Sequence, residues 1–172
     1  MLMCREYPAL DERVWQGKTR SGLRVRIIPK PGFAKTYAFL ATDYGSMDLA
    51  FVSEGVRKET PMGVAHYLEH KMFDLPDRDV TQLFSRYGGN PNAFTSYDTT
   101  AYYVEFTDHL KENLTLLLDM VFIPWFTDES VEKERGIIAQ EIRMYDDDGQ
   151  WIVMFNLLKA LYHVNPVRID IA

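Results

Sequence analysis

The sequence predicts an α+β fold in which helices pack on one face of an antiparallel sheet. Two pairs of β-rich runs, at 22–46 and 92–107, indicate the sheet, and turn residues interrupt each pair. Apolar segments with helical character stand between and after these pairs. The composition, 47 % hydrophobic and 26 % charged over 172 residues, is typical of a globular chain. We interpret residues 1–172 as one continuous domain, because no repeat or linker-like tract divides them.

The first pair of strands is predicted at 22–30 and 36–46, joined by the turn PGFA. The segment 59–73 then predicts a helix. Thr60 suits its N-cap, and Pro61 suits the first helical position, where an N–H would have no intrahelical partner.

The elements that follow are predicted from capping and breaking residues. They are a helix at 78–89 closed by Gly88 and Gly89, strands at 92–96 and 100–107 around a turn at Asp98, a helix at 109–124 stopped by Pro124, a long helix at 127–149 capped by Thr127 or Asp128, and a helix at 150–163. The final segment, 165–172, alternates apolar and polar side chains and predicts the start of a half-buried strand. Because the chain ends inside it, we expect a fragment of a longer protein.

Charge and cysteine content exclude several classes of protein. The formal net charge is −6 and no basic run is present, so nucleic acid and anionic membranes are poor partners. Cys4 is the single cysteine, which rules out an intrachain disulfide and favours a reducing compartment. The N-terminal residues do not resemble a signal peptide, and no stretch approaches the ~20 apolar residues of a membrane span. We therefore expect a soluble cytoplasmic protein.

The stretch AHYLEHKMF carries His66 and His70 four residues apart on a predicted helix. Such residues lie about 40° apart in projection and ~6 Å apart along the axis, so two imidazoles can meet one cation. Zinc suits imidazole and carboxylate ligands. Glu69 lies about 60° to the other side of His66, where a general base would flank the metal without binding it. A surface histidine pair with a salt bridge is the alternative, but the apolar neighbours predict a buried helix, in which ionisable groups need a metal or a dedicated network.

A third metal ligand is less clear from the residues alone. Cys4 is remote, and the other two histidines fall in no comparable pattern. Glu134 and Glu141 are seven apart on the predicted helix at 127–149 and share a stripe about 20° wide. The helix dipole explains a glutamate at 134 better than one at 141. The residues themselves therefore favour Glu141 as the ligand only weakly.

Three segments resemble one family: GVAHYLEHKMF, GGNPNAFTSYDTTAYYVEF and LLLDMVFIPWFTDESVEKERGIIAQEIRMYDDD. Together they are similar to the insulinase-like zinc metallopeptidases, which include pitrilysin and the processing peptidases and carry the inverted HxxEH motif. The similarity runs from about residue 22 to 172 and is closest to the bacterial processing-peptidase-like members. It implies one zinc ion per chain held by His66, His70 and Glu141, Glu69 as catalytic base, Glu134 as a residue that orients a ligand or the base, and Asn92 and Ala93 in the strand along which substrate lies.

The resemblance implies a zinc endopeptidase for short or unfolded peptides, with 1–172 as its N-terminal zinc-binding domain. Glu69 would assist the attack of zinc-bound water on the peptide carbonyl. In this family a second half-domain or a homologous subunit completes the chamber and supplies residues that grip the carbonyl. We therefore expect the 172-residue chain alone to be nearly inactive and its open sheet edge to promote a homodimer.

Two other functions compete with this interpretation. A non-catalytic peptide-binding subunit of the same fold would typically lack a ligand or the base, yet His66, Glu69, His70 and Glu141 are all present. S-ribosylhomocysteine lyase also carries an HxxEH metal helix, but its chemistry needs cysteines, and Cys4 is the one cysteine here.

Overall fold

The structure is a computed structural model that describes residues 1–76 and 78–171. The chain forms two compact units, Met1–Ala34 and Lys35–Ala172. The first unit is an antiparallel sheet of three strands in the order β1-β2-β3: β1 Met3–Tyr7, β2 Glu12–Lys18 and β3 Arg24–Ile27. Of these strands, β3 lies inside the predicted run at 22–30, whereas β1 and β2 were not predicted.

The described part of the second unit contains a three-stranded antiparallel sheet, two small hairpins and five α-helices. Its strands are β4 Thr36–Thr42, β5 Ala50–Ser53, β6 Val56–Glu59, β7 Asp74–Leu75, β8 Arg78–Asp79, β9 Asn90–Thr95 and β10 Thr100–Phe106. Its helices are α1 Val64–Lys71, α2 Val80–Arg86, α3 Leu110–Phe122, α4 Asp128–Tyr145 and α5 Gly149–Leu161. The main sheet has the order β4-β10-β9, which leaves β9 at an edge. Within the described residues, no helix is both long and apolar enough to span a membrane.

The two faces of the main sheet differ. Tyr102, Val104 and Phe106 alternate along β10 and are buried in one cluster with side chains of α2 and α3, such as Phe84 and Leu117. The opposite face carries a group of stacked and tilted aromatic rings that are partly or largely exposed, namely Tyr37, Phe39, Phe94 and Tyr103. The predicted arrangement, helices on one face of an antiparallel sheet, is confirmed.

The N-terminus of α1 differs from the prediction. The helix begins at Val64 after Gly63, which adopts a left-handed conformation with φ 80°, so Thr60 is not its N-cap. Thr60 instead donates its N–H to the Leu49 carbonyl at 2.9 Å, next to the β5–β6 hairpin. That hairpin turns at Glu54 and Gly55, both with positive φ, as a two-residue hairpin turn requires.

The other helix ends follow the capping signals closely. Thr127 caps α4: its hydroxyl accepts from the Ser130 N–H at 3.1 Å, and the Ser130 hydroxyl accepts from the Thr127 N–H at 3.0 Å. α3 ends at Phe122, just before Pro124. These two predictions are confirmed.

The strand predicted at 165–172 is wrong over the residues that the structure describes; Ala172 lies outside them. The chain makes a 3-10 turn at Pro166–Arg168, capped by the Asn165 side chain, which accepts from the Val167 N–H at 2.9 Å. Proline has no N–H to give to a strand ladder, and the asparagine cap favours a turn. Beyond the turn, Asp170 accepts a hydrogen bond from the Trp151 indole at 2.9 Å, so the segment contacts α5.

Candidate metal centre

The helices α1 and α4 pack against each other and present their ionisable residues to a common centre. His66 and His70 lie one turn apart on α1, and their ring centroids are 4.7 Å apart. The hydroxyl of Tyr67, which lies between them in sequence, donates to the Val131 carbonyl at 2.8 Å and ties α1 to α4. This contact links the middle of α1 to the first turn of α4.

Three donor atoms converge between the helices. Nε2 of His66 lies 3.7 Å from Oε1 of Glu141, and Nε2 of His70 lies 3.3 Å from Oε2 of the same carboxylate. Each of the three residues offers one ligand atom, and these atoms lie within 4.8 Å of one another. His66 is buried, while His70 and Glu141 are partly exposed.

The partner of His70 determines which of its nitrogens faces the centre. Nδ1 of His70 lies 2.8 Å from Oε1 of Glu134, a residue 64 positions away and 7 % exposed. An ionised carboxylate can only accept a hydrogen bond, so the contact with Glu134 places a proton on Nδ1, and a neutral His70 would offer the lone pair of Nε2 to a cation on the side of Glu141. His66 differs, because its buried Nδ1 has no hydrogen-bond partner among the described residues.

Electrostatics hold His66 in the form that binds metals. Burial lowers the pKa of His66, and the neighbouring His70 lowers it further. Three carboxylates act in the opposite direction, those of Glu141, Glu69 and Asp170. A neutral imidazole gives its lone pair to a metal, and partly buried carboxylates favour a bound cation.

This donor set fits zinc. A tetrahedral zinc ion with bonds of about 2.0–2.2 Å places its ligand atoms roughly 3.3–3.6 Å apart. The separations of 3.3 Å from His70 to one Glu141 oxygen and 3.7 Å from His66 to the other are close to this spacing, and all three ligand atoms lie within 4.8 Å of one another. Two imidazoles and one carboxylate also match a frequent ligand set of catalytic zinc, and the protonated Nδ1 of His70 has the carboxylate partner that metal-binding histidines usually have. Glu134 therefore lies behind His70, and Glu141 lies beside both imidazoles.

The carboxylate of Glu69 contacts the end of β9. Its Oε2 accepts a hydrogen bond from the Thr95 hydroxyl at 2.6 Å. Thr95 was not singled out in the sequence, although it lies in the NAFTS run that contains Asn92 and Ala93. A threonine hydroxyl in a strand carries no sequence signal of its own, and its partner lies 26 residues away.

A cavity of about 810 Å³ adjoins the centre. Its walls include Glu69, His70 and Glu134 on one side, and Asn92 and Ala93 of the edge strand β9 on another. The structure thus places Asn92 and Ala93 in the same cavity as two residues of the HxxEH motif.

Lys71 is a second residue that sequence reasoning missed. Its side chain is fully buried, and Nζ lies 2.6 Å from Oδ2 of Asp74. The ammonium also lies 5.6 Å from the centre of the Trp125 ring and 5.7 Å from that of Phe126, within the range of cation–π attraction. This contact anchors the C-terminal end of α1 to the segment between α3 and α4.

Comparison with known proteins gives the family. The sequence pattern of the family described as Insulinase (Peptidase family M16) matches residues 48–172. The uncharacterized zinc protease YmfH of Bacillus subtilis is 48 % identical over 169 residues, which cover 97 % of this chain and 40 % of that protein.

Solved structures agree with this result. A protein from Alicyclobacillus acidocaldarius described as an M16-like peptidase superposes with a TM-score of 0.90 at 44 % identity, covering 99 % of this chain and 40 % of the other. A Pseudomonas fluorescens structure described as a peptidase M16 inactive domain shares the fold, with a TM-score of 0.74 at 15 % identity, covering 92 % of this chain and 38 % of the other. The chain therefore spans about 40 % of the length of these relatives. The family match, together with the zinc protease relative, shows that this chain belongs to the insulinase family of peptidases, M16.

Proposed function

We propose that this chain is the N-terminal zinc-binding domain of a zinc endopeptidase that hydrolyses short or unfolded peptides. The observation that carries the proposal is the convergence of two imidazole nitrogens and one carboxylate beside Glu69. Membership of a peptidase family supports it independently.

His66, His70 and Glu141 would hold one zinc ion per chain, and Glu134 would orient His70 through its Nδ1 proton. A bound zinc ion supplies Lewis-acid polarisation of a carbonyl and lowers the pKa of a water molecule. The donor separations and the burial of His66 support this assignment.

Glu69 is the proposed catalytic base. Its carboxylate takes a proton from the attacking water while the water oxygen bonds to the peptide carbonyl carbon. The same carboxylate then gives the proton to the amide nitrogen as the C–N bond breaks, so one peptide bond and one water yield a carboxylic acid and an amine. The position of Glu69 in the wall of the cavity, next to His70, supports this role.

The substrate would lie as an added strand along β9, one of the two edge strands of the main sheet among the described residues. Asn92 and Ala93 line the cavity from this strand. The Ala93 N–H is bonded at 2.8 Å to the side-chain oxygen of Asn92. A peptide that accepts a hydrogen bond from this N–H must therefore displace the Asn92 side chain. Strand addition would recognise the peptide backbone more than its side chains.

The chamber would be completed by a second half-domain or a homologous subunit. This chain spans about 40 % of the length of YmfH, and the rest of such a protein offers room for residues that stabilise the reacting carbonyl. We also propose a cytoplasmic location, because the single cysteine, Cys4, is exposed and unpaired, which suits a reducing compartment.

A non-catalytic peptide-binding subunit is the alternative function. The Pseudomonas fluorescens structure shows that the fold also occurs in a domain described as inactive, but at 15 % identity it bears on the fold alone. The convergence of both histidines with Glu141, and the position of Glu69 in the wall of the adjoining cavity, favour the catalytic interpretation.

The variant Glu69→Gln tests the proposal in the full-length protein. It removes proton transfer and keeps the side-chain volume, so zinc content and peptide binding should persist while turnover of an unstructured fluorogenic peptide falls at least 100-fold. Glu132→Gln, an exposed glutamate on α4, is the matched control and should keep wild-type turnover. A zinc-loaded wild-type protein without peptidase activity would favour the non-catalytic subunit, and an active Glu69→Gln variant would exclude Glu69 as the base.

A further inference from the structure

The carboxylate of Glu69 is held by a single contact. Among the described residues its one hydrogen bond comes from the Thr95 hydroxyl, at 2.6 Å to Oε2. This distance is typical of a charge-assisted O–H···O⁻ bond, which is stronger and more directional than a bond between neutral groups. Oε1 accepts no hydrogen bond from the described residues, so it is the oxygen that is most available for proton transfer.

Backbone hydrogen bonds hold the end of β9, where Thr95 lies, in place. Thr95 is the last residue of β9 and pairs with Thr100 across the sheet. The turn that follows is bonded to the loop at 45–48, since the N–H groups of Ser46 and Met47 donate to the carbonyls of Ser96 and Tyr97 at 3.0 and 2.9 Å. The strand end cannot move without breaking these bonds.

Gly45 is required for this close approach of the loop to the turn. A Cβ atom at position 45 would come within 2.5 Å of the backbone at Tyr97, Asp98 and Thr99. The backbone on both sides of the contact is therefore fixed by packing as well as by hydrogen bonds.

We infer that Thr95 is a positioning residue for the base: its hydroxyl fixes the orientation of Glu69 and assigns proton transfer to Oε1. The inference rests on the proposed function. Ala93 and Thr95 are two residues apart and point to the same face of β9, about 7 Å from each other. The same strand thus provides the edge along which substrate would lie and the hydroxyl that orients the base. The register of the peptide and the position of the base would therefore both be set by β9.

Two variants of Thr95 and one control test the inference. Thr95→Val removes the hydroxyl and keeps the shape, while Thr95→Ser keeps the hydroxyl. Thr42→Val is the matched control, because Thr42 also lies at a strand end and pairs with Thr100 from the opposite side, where it is exposed.

In the full-length protein, Thr95→Val should lower kcat about 10–100-fold with KM, zinc content and melting temperature near wild type, since a misplaced base loses part of its effect. Thr95→Ser should restore kcat to within about threefold of wild type, and Thr42→Val should leave it unchanged. A Thr95→Val variant with wild-type kcat would overturn the inference and leave the proposed function intact. A wild-type protein that is inactive at full zinc occupancy would contradict the proposed function instead.

A structural measurement decides the inference independently of turnover. In crystal structures of the zinc-loaded chain, the Glu69 carboxylate of Thr95→Val should move from its wild-type position by more than about 0.5 Å, the tolerance of a catalytic geometry. In Thr95→Ser it should stay in place. An unmoved carboxylate in Thr95→Val would show that other contacts position the base, and it would overturn the inference even if the activity fell.

Discussion

The two flanks of α1 build different parts of the site. Toward α4, the imidazoles of His66 and His70 meet Glu141, and Tyr67 is bonded to the backbone of α4. Toward β9, Glu69 meets Thr95 at the end of an edge strand. The α4 flank is thus a pair of packed helices, whereas the β9 flank ends at an unpaired sheet edge.

This difference separates two tasks that a metallopeptidase must perform. Holding a metal needs three donors at fixed separations, and two packed helices can provide them within one chain. Holding a peptide needs an edge strand together with groups that enclose it from the other side. We therefore expect changes on the α4 flank to alter zinc binding first, and changes on the β9 flank to alter turnover with zinc retained.

The largest effect is expected from His70→Ala on the α4 flank. It removes one of three donors, so zinc content of the purified chain should fall from about one ion per chain to nearly none. The stabilisation that zinc gives to the folded state should disappear with it, because a ligand that binds only the native state raises the melting temperature. Elemental analysis and thermal unfolding with and without zinc measure both effects.

His163→Ala is the control for this variant. His163 is exposed and lies outside the centre, so its replacement should leave zinc content unchanged. Full stoichiometry in His70→Ala would remove this histidine from the ligand set.

A smaller effect is expected when the rest of the protein, which would enclose the peptide at β9, is absent. At equal zinc occupancy, the 172-residue chain should hydrolyse an unstructured peptide about 10²–10³-fold more slowly than the full-length protein, as when a donor to the reacting oxyanion is removed. The same chain should bind zinc as well as the full-length protein does, because its α4 flank is complete. Equal peptidase rates for the two proteins would mean that this chain encloses the peptide by itself.

The sequence predicted the α4 flank better than the β9 flank. His66 and His70 are neighbours within one helix, so their meeting follows from helix geometry alone. The family resemblance implied that Glu134 orients a ligand or the base, and its actual partner, His70, lies 64 residues away in the sequence. Thr95 was missed because nothing in a strand pattern tells which hydroxyl will reach a carboxylate on another element.

The errors in the fold have a different origin, because local turn signals were present both at 165–172 and in the β5–β6 hairpin. The helix ends at Thr127 and Pro124 were predicted correctly, because capping and chain breaking are local effects. The strand predicted at 165–172 failed although Asn165 and Pro166 are local turn signals, because the prediction followed the alternation of apolar residues instead. The β5–β6 hairpin was missed although Glu54 and Gly55 resemble the Asp-Gly pair that favours such turns.

The two glutamates of α4 should differ in their effect on zinc. Glu141→Gln removes a charged donor next to both imidazoles, whereas Glu134→Gln weakens only the contact behind His70. Glu134→Gln should therefore lower zinc affinity by about 10–100-fold, and Glu141→Gln should lower it more. Competition with a chromophoric chelator measures both values, with Glu132→Gln as an exposed control on the same helix. The reverse ranking would make Glu134 the ligand.

The smallest effect concerns the packing that holds the α4 flank together. Tyr67→Phe removes the 2.8 Å hydrogen bond to the Val131 carbonyl, and a bond of this kind contributes about 0.5–1.5 kcal/mol to the free energy of unfolding. Tyr102→Phe is a matched change on the sheet side of α1, where the hydroxyl lies 3.4 Å from the Leu68 carbonyl. Both carbonyls belong to helices and keep a helical partner when the hydroxyl is removed, but the 3.4 Å bond is at the long limit of hydrogen-bond geometry and is therefore the weaker of the two. Chemical unfolding should therefore show a larger loss of stability for Tyr67→Phe than for Tyr102→Phe. Only Tyr67→Phe should weaken zinc binding, because it loosens the contact between the two helices that carry the metal ligands. A greater loss of zinc affinity in Tyr102→Phe would mean that the sheet, and not α4, fixes the position of the histidines.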